Sequence, residues 1–177
     1  VHTLKRVVDK MLVILPFEKP FYEEYRVDVH FVGHPLLDEL SKLKAINKKI
    51  FAKQNNLDPK KEIIALLPGS RKQEVSRMLG IMLDVRKYYP NYQFVIAGAP
   101  SLDVEFYKSI TGIDDVHLVF NKTYQLLQVA SAAIVTSGTA TLETALLFVP
   151  EVVCYKGNPI SYIIAKNLIK VKYICLV

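Results

Sequence analysis

A turn of small residues, TSGT at positions 136–139, joins an apolar run to a segment with helical periodicity. The apolar run predicts a buried strand, and the periodic segment, with Leu142, Ala145 and Leu146 on one face, predicts the start of a helix. The N–H groups at a helix start lack intrahelical partners and lie at the positive end of the helix dipole, so this turn suits an anion such as a diphosphate. An ordinary strand–helix junction, with Ser137 capping the helix, has the same pattern.

Glu143 lies one helical turn beyond this loop, where its carboxylate would accept two hydrogen bonds from the hydroxyl groups of a ribose. A capping box does not explain Glu143, because the residue three positions after Ser137 is Ala140. The residues therefore predict a turn that receives an anion, with a carboxylate within reach of a sugar.

A second turn, PGSR at positions 68–71, follows another apolar strand in the same manner. Gly69 permits a close backbone approach, and Ser70 with Gln73 three residues later predicts a capping box. The position of Arg71 is not explained by the helix dipole, because a cation gains nothing from that dipole at a helix start. Bidentate pairing of Arg71 with a phosphate or carboxylate would explain an arginine there. The alternative is an ordinary surface arginine.

Other common site patterns do not emerge. GSRKQE lacks the Walker spacing, and we find no GxGxxG, no Ser-His-Asp order, no paired carboxylates and no zinc spacing. We interpret His34, between Gly33 and Pro35 in a turn that is a candidate domain hinge, as a structural histidine bound to the backbone. The residues by themselves indicate a nucleotide or sugar-phosphate site and no particular reaction.

The net charge of +6 does not by itself identify a partner. The lysines are spread singly or in pairs without interleaved aromatic residues, so we predict no nucleic-acid binding. Phosphorylated ligands and anionic lipid surfaces fit the charge as well. No apolar run approaches the roughly 20 residues of a membrane span.

Strands alternate with helices along most of the chain, which predicts parallel βαβ units and an α/β fold with a doubly wound parallel sheet. Ligands of such sheets bind at the carboxyl ends of strands, where both turns fall. The predicted strands are residues 10–15, 29–32, 62–67, 92–97, 116–120, 132–135, 152–155 and 173–177. The predicted helices are residues 2–9, 18–25, 45–56, 72–88, 103–110, 124–130 and 160–169, with one more after the TSGT turn.

The 177 residues, 51% of them hydrophobic and 23% charged, are typical of a globular domain with a substantial core. The chain opens at Val1 within a predicted helix, which indicates a piece of a longer protein. Cys154 and Cys175 lie on separate predicted strands without metal-type spacing, so we expect buried free thiols in a reducing cytosol.

Five strings in this sequence resemble the lipid-A-disaccharide synthase family. They occur in the family's order, span nearly the whole chain, and are together more specific than any one of them. They are DKMLVILPFE (residues 9–18), FVGHPLLD (31–38), LLPGSRKQEV (66–75), SGTATLE (137–143) and PISYIIAKNLIKVKYICL (159–176).

The resemblance implies one half of a GT-B glycosyltransferase, whose two Rossmann-like domains face a cleft. It implies an inverting hexosyltransferase that joins UDP-2,3-diacylglucosamine to 2,3-diacylglucosamine 1-phosphate (lipid X), giving the β-1,6 disaccharide precursor of lipid A and UDP. The UDP-sugar is then a substrate, with no cofactor and no metal. The expected location is peripheral, at the cytoplasmic face of a Gram-negative inner membrane. Residues 1–32 would be the tail of an acceptor-side N-terminal domain, and residues 33–177 most of the C-terminal UDP-sugar-binding domain.

The resemblance also implies roles for the two turns. Residues 137–139 would hold the UDP diphosphate, Glu143 the ribose, and Arg71 would neutralise charge on the departing UDP. Tyr155 would lie near this site. The full set of expected substrate-binding residues is Gly69, Ser70, Arg71, Ser137, Gly138, Thr139 and Glu143.

Two segments that the family uses in catalysis are missing from this chain. One carries the family's proposed general-base aspartate, and the other carries a P-E-L-L-Q-like motif that reaches the nucleotide. Both halves of a GT-B enzyme must close on the substrates, so we expect these residues to be inactive alone. Apolar surface left exposed where such segments pack would favour association, for example as a homo-oligomer.

Two other functions stay open. One is a different UDP-N-acetylglucosamine enzyme, either a 2-epimerase or the peptidoglycan glycosyltransferase, although FVGHPLLD and PGSRKQE argue against both. The other is a non-catalytic module that binds a nucleotide or a lipid head group. For that module, residues 160–169 with Lys166, Lys170 and Lys172 would form an interfacial helix, and a core-facing helix is the alternative.

Overall fold

The structure is a computed structural model that describes residues 1, 3–112 and 117–156. It divides into two compact units, Val1–Lys44 and Ala45–Val177. The helix predicted at residues 160–169, the strand predicted at residues 173–177 and Cys175 lie outside the described residues.

The first unit contains two short parallel strands and three short helices. The strands pair with Met11 opposite Val29. The strands are β1 (Met11–Val13) and β2 (Val29–Phe31), and the helices are α1 (Leu4–Val7), α2 (Glu18–Glu24) and α3 (Pro35–Ser41).

A helix begins at Pro35, in the stretch for which the sequence predicted only a turn. His34 is its N-cap, and the His34 Nδ1 atom accepts a hydrogen bond from the N–H of Leu36 at 3.1 Å. This contact confirms the interpretation of His34 as a structural histidine bound to the backbone. Proline suits the first helical position because its missing N–H has no partner there anyway.

Within its described residues, the second unit is built on a five-stranded parallel sheet. The strands, in chain order, are β3 (Glu62–Leu67), β4 (Tyr92–Gly98), β5 (His117–Phe120), β6 (Ala132–Thr136) and β7 (Glu151–Cys154). Their order across the sheet is β5-β4-β3-β6-β7, and every neighbouring pair is parallel. The helices are α4 (Lys48–Gln54), α5 (Lys72–Asp84), α6 (Val104–Thr111), α7 (Thr123–Val129) and α8 (Thr139–Leu146).

Apolar side chains cover both faces of this sheet, as alternation along β3 shows. Ala65 and Leu67 belong to a buried cluster with residues of α4 and α7. Leu66 belongs to a second cluster with residues of α5 and α6. Successive strand residues point to opposite faces, so helices pack on both sides. The predicted α/β, Rossmann-like, doubly wound parallel fold is confirmed.

The helix predicted after TSGT is α8, and it buries two threonines more fully than its apolar residues. Leu142, Ala145 and Leu146 are only half-buried, whereas Thr141 and Thr144 are fully buried. The Thr141 hydroxyl donates to the carbonyl of Gly138 and the Thr144 hydroxyl to the carbonyl of Ala140, both at 2.7 Å. These bonds satisfy the hydroxyl groups within the helix, so the threonines bury at little cost.

The start of α4 also differs from the prediction. The Asn47 side chain accepts hydrogen bonds from the N–H groups of Lys49 and Ile50, so the helix begins at Lys48 instead of Ala45. Ile50, in the first turn of this helix, is 55% exposed.

Candidate functional site

A cavity of about 430 Å³ opens at the carboxyl ends of β3, β4 and β6. The chain continues from β3 to β4 on one side, and β6 pairs with β3 on the other, so strand order reverses at this point. Such a reversal is where open α/β sheets bind ligands. We call this space the switch-point cavity. All seven predicted site residues line it, namely Gly69, Ser70, Arg71, Ser137, Gly138, Thr139 and Glu143.

Glu74 organises the turn after β3. Its carboxylate accepts hydrogen bonds from the N–H groups of Ser70 (3.2 Å) and Arg71 (3.3 Å) and from the Arg71 guanidinium (2.8 Å). The predicted capping box of Ser70 with Gln73 is therefore wrong by one residue, because α5 starts at Lys72 and its third residue is Glu74. The backbone of this turn is engaged by Glu74, while most of the Arg71 guanidinium stays available.

The electrostatics of Glu74 follow from these contacts. Partial burial raises the pKa of its carboxyl, but the hydrogen bonds from Arg71 and from the two backbone N–H groups outweigh burial, so the pKa is lowered. The Arg71 side chain is 81% exposed despite its ion pair. Such an exposed pair contributes little by itself, so Arg71 can reorient towards an anionic ligand at low cost.

Position 69 requires glycine for two reasons, its backbone conformation and the closeness of Glu74. Its φ is +111°, and a Cβ there would lie 2.7 Å from the Glu74 carboxylate and 2.8 Å from the Glu74 Cβ. Glycine alone adopts this φ without strain, and it lets the turn close over Glu74.

The turn after β6 differs because the residue at the N-cap of the following helix has no side chain to cap it. Gly138 is the N-cap of α8, not Ser137, and it contributes no side-chain hydrogen bond to the first turn of that helix. The Ser137 N–H donates instead to the carbonyl of Cys154 at 2.9 Å, which fixes the turn to β7. Gly138 and Thr139 line the cavity, so an anion there would meet the uncapped start of α8.

Glu143 forms part of the cavity wall and is only partly accessible. The Tyr124 hydroxyl on α7 donates a hydrogen bond to Glu143 Oε1 at 3.2 Å. Burial raises the pKa of the Glu143 carboxyl, and the tyrosine hydrogen bond offsets part of that rise. Hydrogen bonds from ligand hydroxyl groups stabilise a desolvated carboxylate of this kind, because they replace the hydrogen bonds to water that burial removed.

Sequence reasoning missed several residues of this site. Gly98, Ala99 and Pro100 line the cavity after β4, and the signal for them was present, because a Gly-Ala-Pro turn follows a predicted strand at the same sheet edge. Tyr124 and Glu74 had no such signal, because their roles depend on contacts across helices and on where α5 begins. Tyr155 was predicted to lie near this site. It lines a neighbouring cavity that also includes Arg71 and Ser137.

Within residues 1, 3–112 and 117–156, none of the helices has the length and hydrophobicity that a membrane span requires. No group of three or more His, Cys, Asp or Glu side chains in the same residues is arranged to hold a metal ion.

The fold and the cavity define a Rossmann-like α/β unit with a ligand site at the switch point of its sheet. The family model described as lipid-A-disaccharide synthetase matches residues 1–177. This chain therefore belongs to the lipid-A-disaccharide synthetase family.

Curated relatives agree with the family model. The chain is 39% identical over 181 residues to lipid-A-disaccharide synthase of Geobacter sulfurreducens, 42% identical over 182 residues to that of Syntrophus aciditrophicus, and 36% identical over 177 residues to that of Coxiella burnetii (strain Dugway 5J108-111). These alignments cover 98 to 99% of this chain and 46 to 47% of the relatives. The chain thus spans about half the length of the relatives it matches.

Proposed function

We propose that this chain provides the UDP-sugar-binding part of a glycosyltransferase of lipid A biosynthesis. The reaction joins UDP-2,3-diacylglucosamine to 2,3-diacylglucosamine 1-phosphate and releases UDP and the lipid A disaccharide 1-phosphate. The UDP-sugar is a substrate, and the proposal requires no metal or cofactor. Because both substrates are lipids, the enzyme would work as a peripheral protein at the cytoplasmic face of the inner membrane.

One observation carries this proposal: the switch-point cavity brings both glycine turns and Glu143 together in a chain that belongs to this family. The cavity offers an uncapped helix start, a largely exposed guanidinium and a desolvated carboxylate. A nucleoside diphosphate has the complementary groups, namely two phosphates and a pair of ribose hydroxyl groups.

The diphosphate is assigned to the start of α8. Residues 137–139 would surround it, with the N–H groups of the first turn as donors and the helix dipole as a favourable field. Glu74 already occupies the N–H groups of Ser70 and Arg71 in the turn after β3, so the α8 start is the better of the two turns for this purpose.

Arg71 is assigned to the leaving group. Negative charge accumulates on UDP as the bond to the sugar breaks, and a guanidinium beside the diphosphate lowers that barrier through charge-assisted hydrogen bonds. Gly69 and Ser70 would shape the same side of the pocket. The ribose is assigned to Glu143, whose carboxylate accepts from two neighbouring hydroxyl groups.

Catalysis needs groups besides these. The general base is proposed to lie in the acceptor-side domain, so residues 1–177 should not turn over alone. A turnover assay with both lipid substrates tests this statement, and measurable disaccharide formation by these residues would refute it.

The nucleotide assignment is tested by calorimetric titration of the chain with UDP and, separately, with CMP. Selective binding of UDP is expected, because the cavity is proposed to receive a uridine diphosphate. Equal affinity for the two nucleotides, or binding of neither by the folded chain, would contradict it.

A further inference from the structure

A second cavity of about 420 Å³ lies beside the switch-point cavity. The two share Arg71, Glu74, Thr136 and Ser137, so they meet at the same two turns. The second cavity then extends between the first two turns of α5 and the residues that follow β7. We call it the basic cavity, because the described residues that line it include four cations, Arg71, Lys72, Arg77 and Lys156, and one carboxylate, Glu74.

The carboxylate among the described lining residues of the basic cavity is already engaged. Glu74 accepts from the Arg71 guanidinium and from two backbone N–H groups. The ammonium of Lys72 lies 5.5 Å from the centre of the Phe106 ring, where a cation is attracted to the aromatic face. None of the ion pairs within residues 1, 3–112 and 117–156 involves Arg77 or Lys156.

The position of these cations is set by the fold. Gln73 and Arg77 are four residues apart on α5 and therefore share one face of the helix. Tyr155 and Lys156 come directly after β7, at the carboxyl edge of the sheet. Two elements distant in sequence thus place cationic residues and Tyr155 around one concave space. An anion there would relieve the repulsion between the cations.

We propose that the basic cavity binds a phosphate monoester, distinct from the diphosphate in the switch-point cavity. A phosphate monoester carries nearly two negative charges at neutral pH and several acceptor oxygens, which matches a guanidinium, an ammonium and neutral donors. The identity of this phosphate monoester rests on the proposed function, because the acceptor sugar carries one such group, the phosphate at C1. Arg71 lies on both cavities and so between the two anions, while Arg77 and Lys156 recognise the acceptor.

The test uses glucosamine 1-phosphate, which is the head of the proposed acceptor without its acyl chains, titrated into protein saturated with UDP. We expect binding roughly tenfold or more tighter than that of glucosamine, because the phosphate supplies the charge-assisted hydrogen bonds. Arg77→Gln and Lys156→Gln should each abolish most of this preference and leave UDP affinity within about twofold. Lys53→Gln, which removes an exposed cation of α4 that lines neither cavity, should change nothing.

Three results would overturn the proposal. The first is wild-type affinity for glucosamine 1-phosphate in both variants, and the second is competition between glucosamine 1-phosphate and UDP for one site. The third is equal affinity for inorganic phosphate and glucosamine 1-phosphate, which would indicate a free-phosphate site instead of an acceptor subsite. If UDP itself does not bind, the proposed function fails, and the same titration without UDP still measures the basic cavity.

Discussion

The hydroxyl of Tyr124 on α7 donates a hydrogen bond to Oε1 of Glu143 on α8, with 3.2 Å between the two oxygens. This contact holds the carboxylate against the cavity wall and compensates part of its desolvation. Tyr124 does not line the switch-point cavity itself, so it is a positioning residue for Glu143.

Tyr124→Phe should weaken UDP binding about fivefold, because one net hydrogen bond of about 1 kcal/mol that orients the carboxylate is lost. The pKa of Glu143 should also rise further, since the tyrosine no longer stabilises its charged form. Calorimetry at pH 8 measures the affinity. The loss should be smaller for 2′-deoxy-UDP, which lacks one ribose hydroxyl. An equal loss for both nucleotides would contradict an action of Tyr124 through the contact between Glu143 and that hydroxyl.

UDP affinity should depend on the ionisation of Glu143. Burial raises the pKa of this carboxyl, so affinity should fall as the pH is lowered through that raised value, where the carboxylate loses an acceptor site. Titration of wild type and Glu143→Gln across pH 5 to 8 separates this effect from the ionisation of UDP itself. The ratio of wild-type to variant affinity should rise with pH, and a constant ratio would contradict the role of Glu143.

In the free protein, the contribution of Glu143 to the free energy of unfolding should have the opposite dependence on pH. A group whose pKa is raised by folding stabilises the native state below its unfolded pKa of about 4.3, and that contribution is lost as the pH rises through the folded value. The free energy of unfolding of wild type relative to Glu143→Gln should therefore decrease with increasing pH.

Glu74→Ala should lower the free energy of unfolding by about 1 kcal/mol, because the start of α5 loses its cap. The pKa of Glu74 is lowered in the native state, so its contribution is present above the unfolded pKa and is lost as the pH falls through the folded one. Urea unfolding at pH 7 and pH 3 measures both effects. Glu105→Ala on α6 is the control, since that side chain is 82% exposed in its ion pair with Lys108. A similar loss in both variants would argue against capping.

Two glycine substitutions should have opposite effects on stability. Gly69→Ala should destabilise by about 1 to 3 kcal/mol, because its φ is +111° and the new Cβ would meet Glu74. Gly80→Ala should stabilise by about 0.5 to 1 kcal/mol, because Gly80 lies inside α5 with open space around it. Urea unfolding measures both changes, and a stable Gly69→Ala variant would contradict the geometry of the turn.

The sequence predicted the elements of the sheet well because their signals are local. The predicted bounds of β3 match the structure, since its apolar run is bounded by charged residues and by Pro68-Gly69. Parallel order and the ligand edge follow from the alternation of strands and helices. The seven predicted site residues therefore meet in one cavity.

The differences from the sequence predictions arise where a single contact decides which residues of a helix are buried or where the helix begins. Leucine exceeds threonine in hydrophobicity, yet α8 buries Thr141 and Thr144 because helix carbonyls satisfy their hydroxyl groups. The start of α5 depends on which carboxyl or amide group reaches back to the turn, and Glu74 does so in place of Gln73. The Tyr124 contact joins two helices and has no sequence signature.

The most direct test of the account is UDP titration of Arg71→Ala, Glu143→Ala and Lys53→Ala beside wild type. We predict at least tenfold weaker binding for the first two, since each loses a charged hydrogen-bonding group to the ligand, and unchanged binding for Lys53→Ala, which removes an exposed cation outside the cavity. Wild-type affinity in the Arg71 and Glu143 variants would contradict the placement of the nucleotide in the switch-point cavity.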